Sequence, residues 1–384
     1  MSKHDLKYRP YRNRRSLDAS DAGPFLRLAG AILTVLLVLV LVVFLLVPKL
    51  MQWFGYAPYW SWNATPTPAA AVSASPTPHP VSENTVARLY LPDWLSGQVT
   101  TDFSAWQDTL LFATGQTSTT CDKIYTCDTR TGKLTEAVSA TVNGGLRYPK
   151  TNDKYLVYLD AKPDGGGTIY AMDLAAQKTF TVADVRLGAP RLFLEDIYLT
   201  WIERTDAAEF RLIVTDLSTG ESVTIAKFTD SPYGASAPSL VSGQILYADE
   251  GTIAGKSVIE SVLIESGDTW TFDPGTYVHD PRSNGNCWAW MTGNHGEDSD
   301  LYVSIEADTP KCIARGIVDF GMTSSLVVYS RDETIFAYVF GDNKTYILSE
   351  TGTRSLLLMA ENGYVVWSDI TDENNPVIYY IKAN

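Results

Sequence analysis

Histidine and the common catalytic motifs are scarce or missing in this chain. Its 384 residues include four histidines, His4, His79, His279 and His295. No nucleophile elbow, phosphate-binding loop, dinucleotide-binding glycine pattern, zinc-protease motif or sialidase-type Asp-box occurs. His279 and His295 fall in segments rich in Gly, Asp and Asn, where we expect solvated loop residues rather than ligands. These absences exclude the enzyme classes that depend on such motifs, and no cofactor is expected.

Positive charge is also in short supply. Thirty Lys and Arg residues stand against 44 Asp and Glu residues, which gives a formal net charge of −14. Because a phosphate backbone is bound by a basic surface, we expect no nucleic-acid partner. Residues 1–27 hold seven bases and three acids, a net charge of +4, so the remainder carries −18. This asymmetry indicates that tail and body lie in different surroundings.

Cysteine is limited to Cys121, Cys127, Cys287 and Cys312. The first two are six residues apart, about 20 Å along a straight strand. The repeat pattern described below places Cys287 and Cys312 on next-but-one strands, about 9.5 Å apart, which is too far for a disulfide. We therefore predict free, buried thiols, although an oxidising compartment would permit disulfides.

One long run without charge is present, residues 28–47. Twenty apolar residues in a helix cross the hydrocarbon core of about 30 Å. The bases of residues 1–27 precede the run, which places the N-terminus in the cytoplasm and the rest of the chain outside. We predict a single-pass anchor in the cell membrane. A cleaved signal peptide is the alternative, disfavoured because the run is long and no small-residue cleavage site follows it directly.

Two short segments connect the anchor to the body of the chain. Residues 48–62 hold six aromatics, which favour the headgroup zone and predict an aromatic juxtamembrane belt. A partner-binding aromatic patch is the alternative interpretation. Residues 63–85 are rich in Pro and Thr and predict an extended, semi-rigid linker. The chain therefore divides into a cytoplasmic tail (1–27), the anchor, these two segments and an ectodomain (86–384).

The ectodomain repeats a pattern of short apolar runs. Seven runs end in an aromatic residue at intervals of 38 to 46 residues, and in most repeats a second apolar pair ends twelve residues later. We call these residues the marker aromatics: Phe112, Tyr158, Trp201, Tyr247, Trp290, Tyr329 and Trp367. Gly-bearing segments typical of hairpins follow several second pairs. Up to four antiparallel strands at a period of about 40–45 residues indicate the blade of a β-propeller.

The last repeat lacks one strand. Five residues follow Tyr379, too few for a fourth strand, whereas an unassigned strand candidate, 86–91, precedes the first repeat. If residues 86–91 form the outer strand of the last repeat, the ring closes and no edge stays open. The sequence thus predicts an all-β fold, a seven-bladed β-propeller with an N-terminal strand that closes the last blade, preceded by one transmembrane helix.

Individual repeats resemble a known superfamily. The segments 169–174 and 213–220 are similar to the repeats of TolB-like and related WD-like bacterial β-propellers. The resemblance covers most of residues 86–384 but concerns the blade strands. The Trp-Asp and Gly-His signatures of true WD repeats are missing. The resemblance therefore implies the fold and no particular activity.

The connections between second and third strands emerge on one face of a propeller. In the seven predicted connections sixteen acids stand against five bases, so this face carries −11 of the −18. One explanation is the ordinary charge of exposed hairpins. The other is a face that attracts a basic protein segment, a polyamine-like ligand or, weakly, a divalent cation. The candidate binding residues are Glu203, Asp206, Asp249, Glu250, Glu297, Asp298, Asp300, Asp369 and Asp372.

Three functional hypotheses follow. We favour a protein-binding or scaffold module at the cell envelope that docks another envelope protein through its acidic loops. The alternative is an enzyme that acts on an envelope polymer or peptide, with Glu203 and Asp206, or Asp298 and Asp300, as its acid–base pair. A single-pass ligand sensor is the second alternative. No catalytic residue and no metal-ligand set is assigned.

Overall fold

The computed structural model describes most of the predicted ectodomain, namely residues 86–95, 97–139, 142–229, 235–253, 256–293, 299–305, 309–373 and 375–383, with the backbone alone at 250–253. They belong to one compact unit, Val72–Asn384. The predicted tail, transmembrane helix, aromatic segment and linker lie outside the described residues. Within these ranges, no helix is long and apolar enough to cross a membrane.

Twenty-eight strands of the described chain form seven four-stranded antiparallel sheets, the blades of a β-propeller. Blade 1 consists of β2 (Val99–Trp106), β3 (Thr109–Gly115), β4 (Cys121–Asp128) and β5 (Leu134–Val138), and blade 2 of β6 (Gly145–Thr151), β7 (Tyr155–Ala161), β8 (Gly167–Asp173) and β9 (Lys178–Val185). Blade 3 consists of β10 (Phe193–Glu195), β11 (Tyr198–Arg204), β12 (Glu209–Asp216) and β13 (Glu221–Thr229), and blade 4 of β14 (Ser239–Val241), β15 (Gln244–Ile253), β16 (Lys256–Leu263) and β17 (Thr269–Phe272). Blade 5 consists of β18 (Val278–Ser283), β19 (Cys287–Thr292), β20 (Ser299–Ile305) and β21 (Lys311–Ile317), and blade 6 of β22 (Asp319–Met322), β23 (Leu326–Arg331), β24 (Thr334–Val339) and β25 (Lys344–Ile347). Blade 7 consists of β26 (Ser355–Glu361), β27 (Tyr364–Asp369), β28 (Val377–Lys382) and β1 (Ala87–Arg88).

The marker aromatics lie on the second strand of every blade, as the repeat pattern predicts. In six blades the marker is directly opposite the predicted partner on the third strand, for example Phe112 opposite Tyr125 and Trp290 opposite Tyr302. Blade 4 differs, because Tyr247 is opposite Glu260. Cross-strand apolar pairs stabilise a sheet, so the spacing found in the sequence is the register of the hairpin.

The apolar core of the described residues lies between the blades. Seven clusters of buried side chains occur, and each contains residues from two neighbouring blades. The second strands supply much of each cluster, since they read as near-continuous apolar runs that pack on both faces. The ring is therefore held together mainly by burial of apolar surface between sheets.

The closing strand is present and shorter than predicted. β1 pairs with β28 through Ala87 opposite Tyr380 and Arg88 opposite Tyr379, which completes blade 7. The predicted strand 86–91 is thus reduced to two residues. The chain then passes to blade 1, where buried Leu89 and Leu95 join the cluster between blades 7 and 1.

Side chains also join the last blade to the first. The side chain of Asn362 donates to the Ala105 carbonyl at 2.8 Å, and the hydroxyls of Tyr364 and Thr129 are 2.9 Å apart. Inter-blade contacts therefore close the ring in addition to the short β1.

Candidate functional site

Two kinds of connection share one face of the propeller, which we call the rim face. In each blade the innermost strand runs away from this face and the second strand returns to it. The loops between second and third strands therefore emerge beside the links from one blade to the next. The links bring further arginines to the rim face. A count of charged residues in the loops between second and third strands does not include them.

The candidate acids of blade 3 lie beside such arginines. Glu203 in β11 is opposite Arg211 of β12. Burial raises the pKa of Glu203, and Arg211 and Arg186 oppose that shift. Asp206 binds Arg186, from the link between blades 2 and 3, at 2.8 Å. Glu203 and Asp206 thus lie in an arginine-rich patch rather than forming an isolated carboxylate pair.

Blades 4 and 5 carry five of the candidate acids. Asp249 is half-buried near the rim end of β15. Asp300, the second residue of β20, lies 3.8 Å from Nε of Arg315 on β21. The side chain of Glu250 and the whole of Glu297 and Asp298 lie outside the described residues, so the predicted Asp298–Asp300 pair remains a prediction.

Blade 7 carries the last two candidates. Asp369 ends β27, and its carboxylate accepts the backbone N–H of Thr371 at 2.9 Å. Asp372 is exposed in the following loop and accepts the side-chain N–H of Asn375 at 3.0 Å. Both carboxylates order their own loop while facing solvent.

Other rim acids are already engaged. Asp160 is 1% exposed and accepts the backbone N–H groups of residues 142–143 at 2.6 and 3.0 Å. Arg354, from the link between blades 6 and 7, binds Glu333 at 2.9 Å and Glu373 at 2.8 Å. The rim face is therefore a mosaic of ion pairs, and its open negative charge is smaller than the loop sequences alone imply.

Two adjoining cavities lie among the innermost strands. The upper cavity, about 470 Å³, is lined by the starts of these strands and by the rim ends of β11 and β19. It therefore lies toward the rim face. The lower cavity, about 260 Å³, is lined by later residues of the innermost strands, and the two cavities share Tyr148, Arg191 and Asp319. A space of this size suits a small ligand.

One repeated position builds the cavity walls. It lies ten residues before each marker aromatic, within the innermost strand in five blades and two residues before that strand in blades 3 and 4. All seven residues at this position line one or both cavities: Asp102, Tyr148, Arg191, Ala237, Asp280, Asp319 and Leu357. The pattern that fixes the blades thus also identifies the cavity lining.

Three of these residues have a left-handed backbone. The φ angles of Asp102, Tyr148 and Asp280 are 52°, 50° and 49°. In each case the pairing of the innermost strand with the second strand shifts at this point, as in a β-bulge. A positive φ is uncommon for an aromatic residue such as Tyr148. Bulges re-aim side chains and are frequent beside functional sites.

Buried ion pairs cross between blades around the lower cavity. Asp102 of blade 1 binds Nε of Arg147 in blade 2 at 2.6 Å, and these side chains are 10% and 16% exposed. Lys150 of blade 2 binds Glu361 of blade 7 at 2.5 Å. The second pair spans two non-adjacent blades across the lower cavity, which both residues line. We call the space formed by the two adjoining cavities the channel, and the side chains that line it the channel wall.

Arg191 and Asp319 both line the upper cavity. No described residue forms a hydrogen bond or an ion pair with Arg191. One carboxylate oxygen of Asp319 accepts the N–H of Phe320 at 2.8 Å. Desolvation by the cavity walls raises the pKa of Asp319; Arg191 lowers it, and Asp280 raises it again. The upper cavity thus holds Arg191, which has no partner among the described residues, together with the carboxylates of Asp319 and Asp280.

The prediction for His279 is wrong. His279 lies in β18 and is 2% exposed. Its Nδ1 is 3.0 Å from Asp280, and its Nε2 is 3.3 Å from Ser299. The Gly and Asn residues near His279 in the sequence belong to neighbouring turns. The His279 ring itself lies beside the bulge in β18 and lines the upper cavity. His295 lies outside the described residues.

The cysteines form no disulfide. Cys121, Cys127 and Cys287 are buried, as predicted, and Cys312 is half-buried. Burial raises the pKa values of Cys121 and Cys127 to about 11, so both are thiols at neutral pH. Among the described residues, no group of three His, Cys, Asp or Glu side chains is arranged to hold a metal ion.

Solved structures share this fold. The β-propeller domain of the Trilobed protease from Pyrococcus furiosus, described as having an open velcro topology, matches with a TM-score of 0.58 and 12% identity, over 75% of this chain and 97% of that one. The oligogalacturonate lyase from Vibrio parahaemolyticus matches with a TM-score of 0.56 and 13% identity, over 80% and 96%. TolB from Acinetobacter baumannii matches with a TM-score of 0.40 and 11% identity, over 74% and 80%, which is too distant to support an argument.

These likenesses concern the fold alone. No family model and no curated protein sequence matches the chain. The similar structures include an enzyme and a domain of a protease, so they do not separate a binding module from a catalyst. What stands is the fold, a seven-bladed β-propeller.

Proposed function

We propose that this protein is a membrane-anchored binding module that presents its propeller outside the cytoplasm and docks a basic segment of an envelope protein on the rim face. The observation that supports it most is the gathering of loops from all seven blades on one face, with carboxylates such as Asp206, Asp332 and Glu373 largely exposed. Opposite charge steers association and sets the orientation of a partner.

The docking proposal is tested with oligolysine as the basic probe. In the full-length protein, Glu297, Asp298 and Asp300 are changed together to Lys. The control changes Asp153, Glu221 and Glu265 to Lys; these exposed acids lie in turns or at a strand start on the opposite face. We expect the rim variant to weaken oligolysine binding at least about tenfold at low salt, and the control less than about twofold.

The control variant distinguishes docking on the rim face from a response to the net negative charge of the protein. Equal losses in both variants would mean that oligolysine responds to net charge alone, and would refute a docking face. Binding that does not weaken as salt rises would refute the electrostatic basis of the proposal.

The topology is tested by labelling in intact cells. An impermeant thiol reagent should modify Ser75→Cys in the linker and leave Ser16→Cys in the tail unmodified, because the basic residues precede the apolar run. The reverse pattern would refute the orientation and the envelope location with it.

A further inference from the structure

The lining of the upper cavity combines apolar and charged side chains. Its apolar members are Ile202, Met291 and Val318, together with Pro and Ala residues of the links between blades. Its charged members include Arg191, Asp280 and Asp319. Apolar side chains together with a small number of charged groups are typical of a site for a small organic molecule.

Arg191 is the cation available to such a molecule. The other bases around the two cavities are engaged: Arg147 by Asp102, Lys150 by Glu361, and Arg282 by Asp280 at 3.9 Å and by the carbonyls of residues 237–238 at 3.2 and 3.3 Å. Arg191 has no such partner among the described residues and faces the cavity they share. A guanidinium presents a planar pair of donors that matches a carboxylate.

Asp319 is the matching anion. One of its carboxylate oxygens accepts the N–H of Phe320, and the other has no described partner. Asp280 is close enough to disfavour ionisation of Asp319. An ammonium group placed between Asp319 and Asp280 would relieve that repulsion, whereas a second carboxylate would increase it.

Two lining residues of the site, Asp280 and Tyr148, are held in position by their neighbours. Asp280 is positioned by the bulge in β18 and by His279 at 3.0 Å, and Tyr148 by the bulge in β6. The Lys150–Glu361 pair lies across the lower end of the channel. A ligand that enters from the rim face therefore meets Asp280 and Tyr148 already in position, which lowers the entropic cost of binding.

We propose that the upper cavity binds a compact zwitterion, a free amino acid or a dipeptide with an apolar side chain. Its carboxylate is held by Arg191, its ammonium group lies between Asp319 and Asp280, and its side chain packs on the apolar lining residues. The inference goes beyond rim docking, because the site lies inside the ring and uses none of the candidate rim acids. It would supply the ligand that the sensor hypothesis lacks.

The test is calorimetric titration of the full-length protein. The probes are L-leucine, leucyl-leucine, 4-methylpentanoic acid, which lacks the ammonium group, and isopentylamine, which lacks the carboxylate. We expect one of the two zwitterions to bind at least tenfold more tightly than either singly charged analogue. Tighter binding of leucine identifies a free amino acid as the ligand, and tighter binding of leucyl-leucine identifies a peptide.

Variants assign the two charges. Arg191→Met and Asp319→Asn should each weaken zwitterion binding at least tenfold, whereas Arg186→Met, at an exposed rim arginine, should leave it unchanged. A thermal unfolding curve for each variant verifies folding. The proposal is overturned if no probe binds, if either singly charged analogue binds as tightly as the zwitterions, or if Arg186→Met causes the same loss. The oligolysine experiment is unaffected by these outcomes, so either proposal can fail alone.

Discussion

The rim face and the channel wall both carry charge, but they hold it in different ways. On the rim face, ion pairs such as Arg186–Asp206 are 80% and 64% exposed and lie in loops and links. On the channel wall, the Arg147–Asp102 pair is 16% and 10% exposed and joins two innermost strands. Solvent screens the first pair, whereas the second is largely withdrawn from water. Counting charged residues in the sequence therefore identifies the rim face, whereas the charged residues of the channel wall are recognised only from their burial and their partners in the structure.

The largest contrast should appear when one acid of each pair loses its charge. Asp102→Asn leaves Arg147 without its counter-ion in a poorly solvated site, which should lower the free energy of unfolding by about 3–5 kcal/mol. Asp206→Asn should cost less than about 1 kcal/mol, because Arg186 is solvated without it. Urea unfolding of the two variants measures both values. Similar small losses would mean that the wall is as well hydrated as the rim.

A smaller effect should follow from close packing of the innermost strands. A Cβ atom on Gly321 would lie 2.7 Å from Cβ of Ala360 in the neighbouring blade and 2.8 Å from its carbonyl oxygen. Gly321→Ala should therefore push β22 and β26 apart and cost about 1–3 kcal/mol of unfolding free energy. Gly341→Ala is the matched control, since no atom lies within 4 Å of its Cβ position. Equal stability of the two variants would show that the inner strands separate easily.

The smallest effect concerns the pH dependence of stability. The pKa of Asp319 is raised in the folded protein, so its protonated form favours folding; that contribution is complete below its unfolded value of about 3.9 and is lost as pH rises through the folded pKa. Asp319→Asn cannot ionise, so it should melt at a higher temperature than the native chain at pH 7. The difference should disappear on acidification.

The control for this effect is Asp332→Asn on the rim face, where the Asp332 side chain is 92% exposed. Its melting temperature should follow that of the native chain at every pH. A destabilised Asp319→Asn variant at pH 7 would mean that the negative charge of Asp319 supports the fold rather than opposing it.

The sequence predicts the blades well because their signal is local. The marker aromatics and their partners lie a fixed distance apart since a hairpin fixes the register, and six of the seven pairs are directly opposite. The shortening of β1 was not predictable, because the length of a closing strand depends on where the chain must leave blade 7 to reach the blade 1 contacts of Leu89 and Leu95.

The candidate site was predictable only in part. The rim acids are found by their position in the loops, but their arginine partners, such as Arg186 and Arg354, come from links between other strands. The channel wall offers a signal that sequence reasoning missed, namely charged residues ten positions before several marker aromatics. Which of those charges lacks a partner depends on contacts between residues of different blades, 40 or more positions apart in the sequence. Lys150 and Glu361, for example, are 211 positions apart.

The two-residue length of β1 has a mechanical consequence. Any pull on the chain that precedes residue 86 reaches the propeller first at the pairs Ala87–Tyr380 and Arg88–Tyr379. These are the outermost hydrogen bonds of blade 7, so β1 should detach at low force before a second strand is loaded. The contacts of Asn362 and Tyr364 with blade 1 do not include β1, so the ring should stay closed when β1 is pulled free. The protein would then gain several residues of reach without unfolding.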